Sequence, residues 1–203
     1  MIKRLLPIII YTAFVMGQEV EVVVIPGDTT KDPGLKIGDI APSWALMSAP
    51  GKFEFLKTWT EEKGKKLRKP VTQPDRYVVL LSFFATWCKP CMKELPHLEN
   101  LYQKYKDEKI KFFLIDITEA TRTVKGLEDS PKAGPFLLNK GITMPILYDS
   151  RGVAKERYGA KTLPRLYIVD KYRTIQLAKT GFDADEDFEG ELAAVIDRLL
   201  AEE

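Results

Sequence analysis

Apolar and polar positions along this chain switch between two periods, and those switches outline the elements. Residues 77–85 form a continuous run of β-branched, aliphatic and aromatic side chains, Tyr77-Val78-Val79-Leu80-Leu81-Ser82-Phe83-Phe84-Ala85. A run without polar alternation predicts a strand covered on both faces, as in a parallel or mixed sheet. From 91 to 106 the period changes. Leu95, Leu98, Leu101, Tyr102 and Tyr105 recur at steps of three and four, which predicts a helix. A second buried strand follows at 110–117, then a polar helix or loop over 118–134. A short helix at 135–140 is closed by Gly141. The remaining pattern predicts a strand at 146–148 and a helix at 152–158 stopped by Gly159. A hairpin of 165–169 and 175–180 is joined by a turn at 170–173. The last segment, 188–200, is an amphipathic helix with Leu192, Val195, Ile196 and Leu199 on one face. Strand, helix, strand, helix, then hairpin and helix is an α/β order. No internal repeat is present.

The first third of the chain reads differently. Residues 35–48 and 52–56 predict short strand pieces around the Pro50-Gly51 turn. Residues 57–76 are mostly polar, and Lys63, Lys65, Lys66, Arg68 and Lys69 lie close together. The pattern fits a solvated loop or short exposed helix, anchored by Trp59; contact with an acidic partner is the other reading. Further back, 20–25 is a β-rich run followed by Pro26, Gly27, Asp28 and then Lys31-Asp32-Pro33-Gly34, which predicts an extra strand or tether and a loop. The beginning has a basic pair, Lys3 and Arg4, an apolar run over 5–16, and then Gly17 and Gln18. This is the layout of a secretory signal peptide, with Val15 and Gly17 at the small positions before cleavage. Its apolar run falls short of the roughly 20 residues that span a bilayer, and Pro7 interrupts it. An uncleaved N-terminal anchor is the alternative. The division expected is therefore a signal peptide at 1–17, a tether or strand at 18–34, and one domain over 35–203.

Composition narrows the function. With 203 residues, 45% of them apolar, the chain can bury one sizeable core. The net charge of +2 resides in Lys3 and Arg4, so the chain beyond residue 17 is neutral. Nothing in it resembles the clustered positive charge of a nucleic-acid footprint. Two cysteines cannot staple a disulfide scaffold, so they act as one pair.

That pair is Cys88-Lys89-Pro90-Cys91, placed where a buried strand gives way to a helix. The spacing puts both sulfurs within disulfide reach and sets Cys88 at the helix N-terminus, where backbone N–H groups and the helix dipole favour a thiolate. Lys89 adds positive charge, and Pro90 suits the first turn, where its missing N–H costs nothing. Cys88 is expected to have a thiol more acidic than an ordinary cysteine. It then exchanges with a substrate disulfide, and the more buried Cys91 resolves the mixed disulfide. A structural disulfide closing so small a loop adds little stability. Zinc usually needs four ligands, whereas the pair with the single His supplies three at most.

The stretch from Phe83 to Pro96, with Trp87, the Cys pair and Glu94, resembles the active-site segment of the thioredoxin-like superfamily, and more closely its exported TlpA/ResA-like branch. The resemblance covers about residues 35–200 and includes the Gly38-Asp39-Ile40-Ala41-Pro42 opening, also similar to peroxiredoxins. It further includes an insertion before Pro145 and the Leu163-Pro164 pair before a strand. It implies a thioredoxin fold: a central mixed β-sheet flanked by helices, here with an N-terminal β extension and an inserted helical segment. It also implies that Trp87 covers the disulfide, that Pro96 kinks the helix, and that Pro164 is a cis proline. A cis Pro164 would present the backbone of Leu163 to a substrate strand. Cytoplasmic thioredoxins carry a buried Asp six residues before the first Cys; here that place is Ser82. Glu94 is then the nearby carboxylate, on the same helical face as Cys91 and one turn on. The resemblance implies that it shuttles a proton or raises a cysteine pKa; the plain alternative is a solvated helix carboxylate. His97, six residues after Cys91, points elsewhere around the helix and is expected to pack or to face solvent.

The resemblance implies an extracytoplasmic, periplasmic thiol–disulfide oxidoreductase, a dedicated reductant of protein disulfides of the cytochrome c maturation or metal-site assembly type. It would be monomeric, would need no bound cofactor or metal, and would be recharged by a membrane electron donor. Three alternatives stay open. A disulfide oxidase or isomerase would use the same residues. A peroxidase would need Pro and Thr where this chain has Leu81 and Ala85. A Cu(I)-carrying module would hold copper between the two thiolates.

Overall fold

The computed structural model describes residues 10–15, 18–23, 34–71 and 73–202. The chain divides into two compact units, Met1–Pro33 and Gly34–Glu203. In the first unit β1 (Ile10–Val15) pairs antiparallel with β2 (Gln18–Val23), with Ile10 opposite Val23. Only 20–23 of the strand expected at 20–25 falls in β2, because residues 24–33 lie outside the described residues, as does the expected cleavage point at Gly17.

The second unit is built on a seven-stranded mixed sheet. Its strands are β3 (Ala45–Ala49), β4 (Lys52–Phe55), β5 (Val78–Phe84), β6 (Ile110–Asp116), β7 (Ile146–Tyr148), β8 (Arg165–Val169) and β9 (Ile175–Thr180). They lie in the order β4-β3-β7-β6-β5-β8-β9. The neighbours β5, β6 and β7 run parallel, and every other pairing in this sheet is antiparallel. Every residue of β5 is buried, which is why its run carries no polar alternation. The helices are α1 (Leu56–Trp59), α2 (Lys89–Tyr105), α3 (Ala133–Leu138), α4 (Val153–Tyr158) and α5 (Phe188–Ala201). Two of them, α2 and α5, pack together, and α5 also packs on β5. Among the described residues no helix is long and apolar enough to cross a membrane.

Three expectations change. Of the strand pieces expected over 35–48, only β3 pairs in a ladder. The residues before it instead clasp the β8–β9 turn: Gly38 N–H donates to Ile175, Ile175 N–H to Asp39, and Ala41 N–H to Arg173. Gly38 sits in the left-handed region (φ +92°) and Pro42 lacks an N–H, so this stretch cannot continue as a strand. The polar stretch at 57–76 is also not simply solvated. Thr60 and Glu61 are buried, Thr60 Oγ1 donates to Asp170 O, and Arg173 donates to Glu61 Oε1 at 2.6 Å. The sequence disguises these two as surface residues because their partners lie more than a hundred positions away. Lys63, Lys65, Lys66, Arg68 and Lys69 are exposed as expected, and Trp59 packs edge-on against Tyr77. Finally, α3 begins at Ala133, two residues earlier than expected, so that Pro135 falls within its first turn.

Candidate active site

β5 ends at Phe84, and the chain passes through Ala85-Thr86-Trp87 into α2. Cys88 caps the helix: its Sγ accepts the Cys91 backbone N–H at 3.2 Å, and Pro90 lies in the first turn. This cap explains why α2 starts at Lys89, ahead of its apolar periodicity. Cys88 and Cys91 are joined in a disulfide, with Cα atoms 5.3 Å apart. Cys88 keeps 3% of its surface in solvent and Cys91 none, so an incoming sulfur reaches the bond from the Cys88 side. Trp87 beside it is 36% exposed, and its Nε1 donates to Thr121 Oγ1 at 2.9 Å. The Thr86 N–H donates to Thr118 Oγ1 and the Thr86 hydroxyl to Pro131 O, so the segment after β6 braces the cysteine loop.

Glu94 is not a solvated carboxylate. It is 1% exposed on the buried face of α2, together with Cys91, Leu95 and Leu98. Ser82 of β5 donates its hydroxyl to Glu94 Oε2 at 2.8 Å, while Oε1 is buried with no hydrogen-bond partner. Burial pushes the Glu94 pKa up to about 8, against the opposing pull of the Ser82 bond and the charge of Lys179. Near neutral pH this side chain is therefore mostly protonated, unlike an ordinary carboxylate. The place expected for a carboxylate on β5 is filled by a hydroxyl that reaches a carboxyl on the facing helix.

The Leu163–Pro164 bond is cis, as is Lys69–Pro70, which no sequence feature had singled out. Pro164 leads directly into β8, the antiparallel neighbour of β5. His97 points away from the sulfurs: it stacks on Phe182 with ring centroids 5.3 Å apart, and its Nδ1 lies 2.7 Å from Glu189 Oε1. Pro96 lies inside α2, which continues through it to Tyr105. Among the described residues no group of three His, Cys, Asp or Glu side chains is gathered to hold a metal. One nearby residue was missed in the sequence. Asp116, at the end of β6, is 3% exposed and binds Thr118, and its place in an apolar strand was the available signal.

Residues 37–178 match the model of the AhpC/TSA family. The chain belongs to the AhpC/TSA family. Within it the chain is 31% identical over 145 residues to the thiol-disulfide oxidoreductase ResA of Bacillus thuringiensis subsp. konkukian (strain 97-27), which spans 71% of this chain and 70% of that one. It is also 31% identical over 162 residues to the thioredoxin-like protein YneN of Bacillus subtilis (strain 168), covering 80% and 82% of the two chains. Among solved structures the fold resembles a putative thiol:disulfide interchange protein DsbE from Chlorobium tepidum, with a TM-score of 0.59, 24% identity, and 80% of this chain and 99% of that one covered. A putative protein disulfide isomerase from Bacteroides thetaiotaomicron aligns with a TM-score of 0.63 and 22% identity over 84% and 94% of the chains. This AhpC/TSA-family protein thus has a thioredoxin-like fold, and it is a thiol–disulfide oxidoreductase of the ResA type.

Proposed function

We propose that the protein is an exported reductant of protein disulfides, with Cys88 as nucleophile, Cys91 as resolving thiol and Glu94 as the proton-handling group. The observation that carries this reading is the closed Cys88–Cys91 pair at the start of α2, with the Glu94 carboxyl buried one turn behind it. In the dithiol form the Cys88 thiolate attacks one sulfur of a substrate disulfide and releases the other as a thiolate. Cys91 then loses its proton and attacks Cys88 Sγ, which frees the second substrate thiolate and closes the Cys88–Cys91 bond. Two electrons pass to the substrate, and two protons follow to its sulfurs. Glu94 lies within the buried surroundings of Cys91, and its pKa, near that of a thiol, leaves near neutral pH an ionised fraction that accepts the Cys91 proton and returns it. Trp87, Leu163 and Pro164 form the surface offered to the substrate, with the Leu163 backbone as the pairing edge. Residues 1–17 act as the export signal or an anchor that delivers the domain to the periplasm, where it works as a monomer. A membrane electron donor recharges it, and the disulfides it serves are of the cytochrome c maturation or metal-site assembly type.

The deciding measurement is the midpoint potential of the Cys88–Cys91 couple, joined to trapping of mixed disulfides by a Cys91→Ala variant. A potential below about −200 mV with trapped disulfide-bearing partners supports the reductant. A value near −120 mV would instead mark an oxidase or isomerase.

A further inference from the structure

The C-terminal ends of the parallel strands β6 and β7 border a cleft of about 620 Å³ to which the dithiol steps assign no role. Asp116 and Tyr148, which pair across these two strands, both line it. Met47, Ala49, Pro50 and Pro135 give it an apolar wall. Asp116 is 3% exposed, and its Oδ1 accepts both the N–H and the hydroxyl of Thr118. Its Oδ2 has no hydrogen-bond partner among the described residues. Glu119 shares the cleft, but Arg122 already holds both of its oxygens, at 2.7 and 2.9 Å. Lys132 is exposed and forms no ion pair with Asp116. The cleft therefore presents one nearly buried carboxylate whose open oxygen is bonded to no cation, beside the apolar side chains of Met47, Ala49, Pro50 and Pro135.

That combination selects its occupant. An anion would meet Asp116, and a wholly apolar group would strip water from Oδ2 without replacing it. A lysine or arginine side chain satisfies both parts, because its methylene stem lies on apolar surface while its head makes a charge-assisted bond. The cleft lies at the same end of the sheet as the dithiol, the C-terminal end of the parallel strands. Phe84, Asp116 and Tyr148 are in register across β5, β6 and β7, and Cys88 follows Phe84 by four residues. One hydroxyl joins the two places, since Thr118 Oγ1 accepts the Thr86 N–H at 3.1 Å and donates to Asp116.

We propose that this cleft is a specificity subsite that receives a lysine or arginine side chain flanking the disulfide of a protein substrate, with Asp116 as its counter-charge. The inference rests on the reductant reading above. Its test uses peptides that share one intramolecular disulfide and differ only in Lys, Ala or Glu beside it. Each is mixed in a single turnover with the reduced full chain, so that the peptide disulfide is reduced as Cys88–Cys91 forms. The Lys peptide is expected to react about tenfold faster than the Ala peptide, and the Glu peptide slowest. Asp116→Asn should bring the Lys-to-Ala ratio close to one. Ser48→Lys, at an exposed position on the cleft, should do the same by placing a competing cation there, and it carries the test if the Asn variant fails to fold. Equal rates for the three peptides, or a ratio unchanged in both variants, would overturn the subsite and leave the reductant reading intact. Failure to reduce any of them would overturn both.

Discussion

Glu94 owes its chemistry to two neighbours that the sequence keeps apart. Ser82 stands twelve residues before it on β5, and their 2.8 Å bond exists only because α2 lies back over that strand. Burial outweighs that bond and lifts the Glu94 pKa to about 8 from an ordinary 4.5. A raised folded-state pKa means that the folded protein keeps a proton the unfolded chain has lost. The stabilisation is complete below pH 4.5 and disappears as pH rises through about 8. Denaturant titration of the oxidised protein should therefore show stability falling by up to roughly 1.4 kcal/mol per pH unit across that window. Glu94→Gln should abolish this slope. In the reduced form the same variant should stay folded and shift the pH profile of thiol alkylation; an unchanged thiol titration would remove Glu94 from the mechanism.

Among the elements, α2 and the 34–77 segment show how local pattern and distant partners share the work. The buried face of α2 was readable from spacing, and Leu98→Ala on it should cost about 2–5 kcal/mol, measured as a lower denaturation midpoint. The segment after α1 was not readable, because Glu61 is buried only by virtue of Arg173 in the β8–β9 turn. Burial alone would raise the Glu61 pKa, but bonds from Lys57, the Glu62 N–H and Arg173 hold it down at about 2. The sign is opposite to that of Glu94. The contribution of Glu61 is full above its ordinary 4.5 and is lost as pH falls through about 2. Arg173→Ala should destabilise the domain by about 1.5–3 kcal/mol near neutrality, since it takes a charge-assisted bond from the buried Glu61 carboxylate and leaves Lys57 as its remaining cation. The loss should shrink in acid, where Glu61 takes up a proton; an effect independent of pH would argue that Arg173 matters through packing alone.

For the molecule as a whole, the disulfide is an instrument of exchange and contributes little to holding the fold. The loop it closes has a sequence separation of 3, worth at most about 2 kcal/mol by loop entropy. The core of the second unit rests instead on a sheet in which every residue of β5 is buried. A Cys88→Ser, Cys91→Ser double variant should keep its far-UV spectrum and lose no more than about 8 °C in melting temperature. A variant that unfolds would show the bond to be structural. The fold was largely legible beforehand. β7, β8 and β9 match the residues read from the sequence, because turn residues bracket short apolar runs. The order β4-β3-β7-β6-β5-β8-β9 was not legible, since edge pairings leave no local trace.

By itself, the sequence determined the chemistry that neighbours along the chain can hold. It placed two cysteines at a strand-to-helix junction, a carboxyl one turn further on, and the apolar periods that become β5 and α2. Only tertiary structure decided which polar groups lose their water. Glu94 and Glu61 are both acidic residues in or beside helices, yet one is buried against a hydroxyl and the other against a guanidinium. Their pKa values move in opposite directions for that reason. Asp116 belongs to the same class, because its open oxygen and apolar surroundings arise where β6, β7 and the β3–β4 turn converge. Desolvation is a property of packing between distant segments, so no window of sequence contains it.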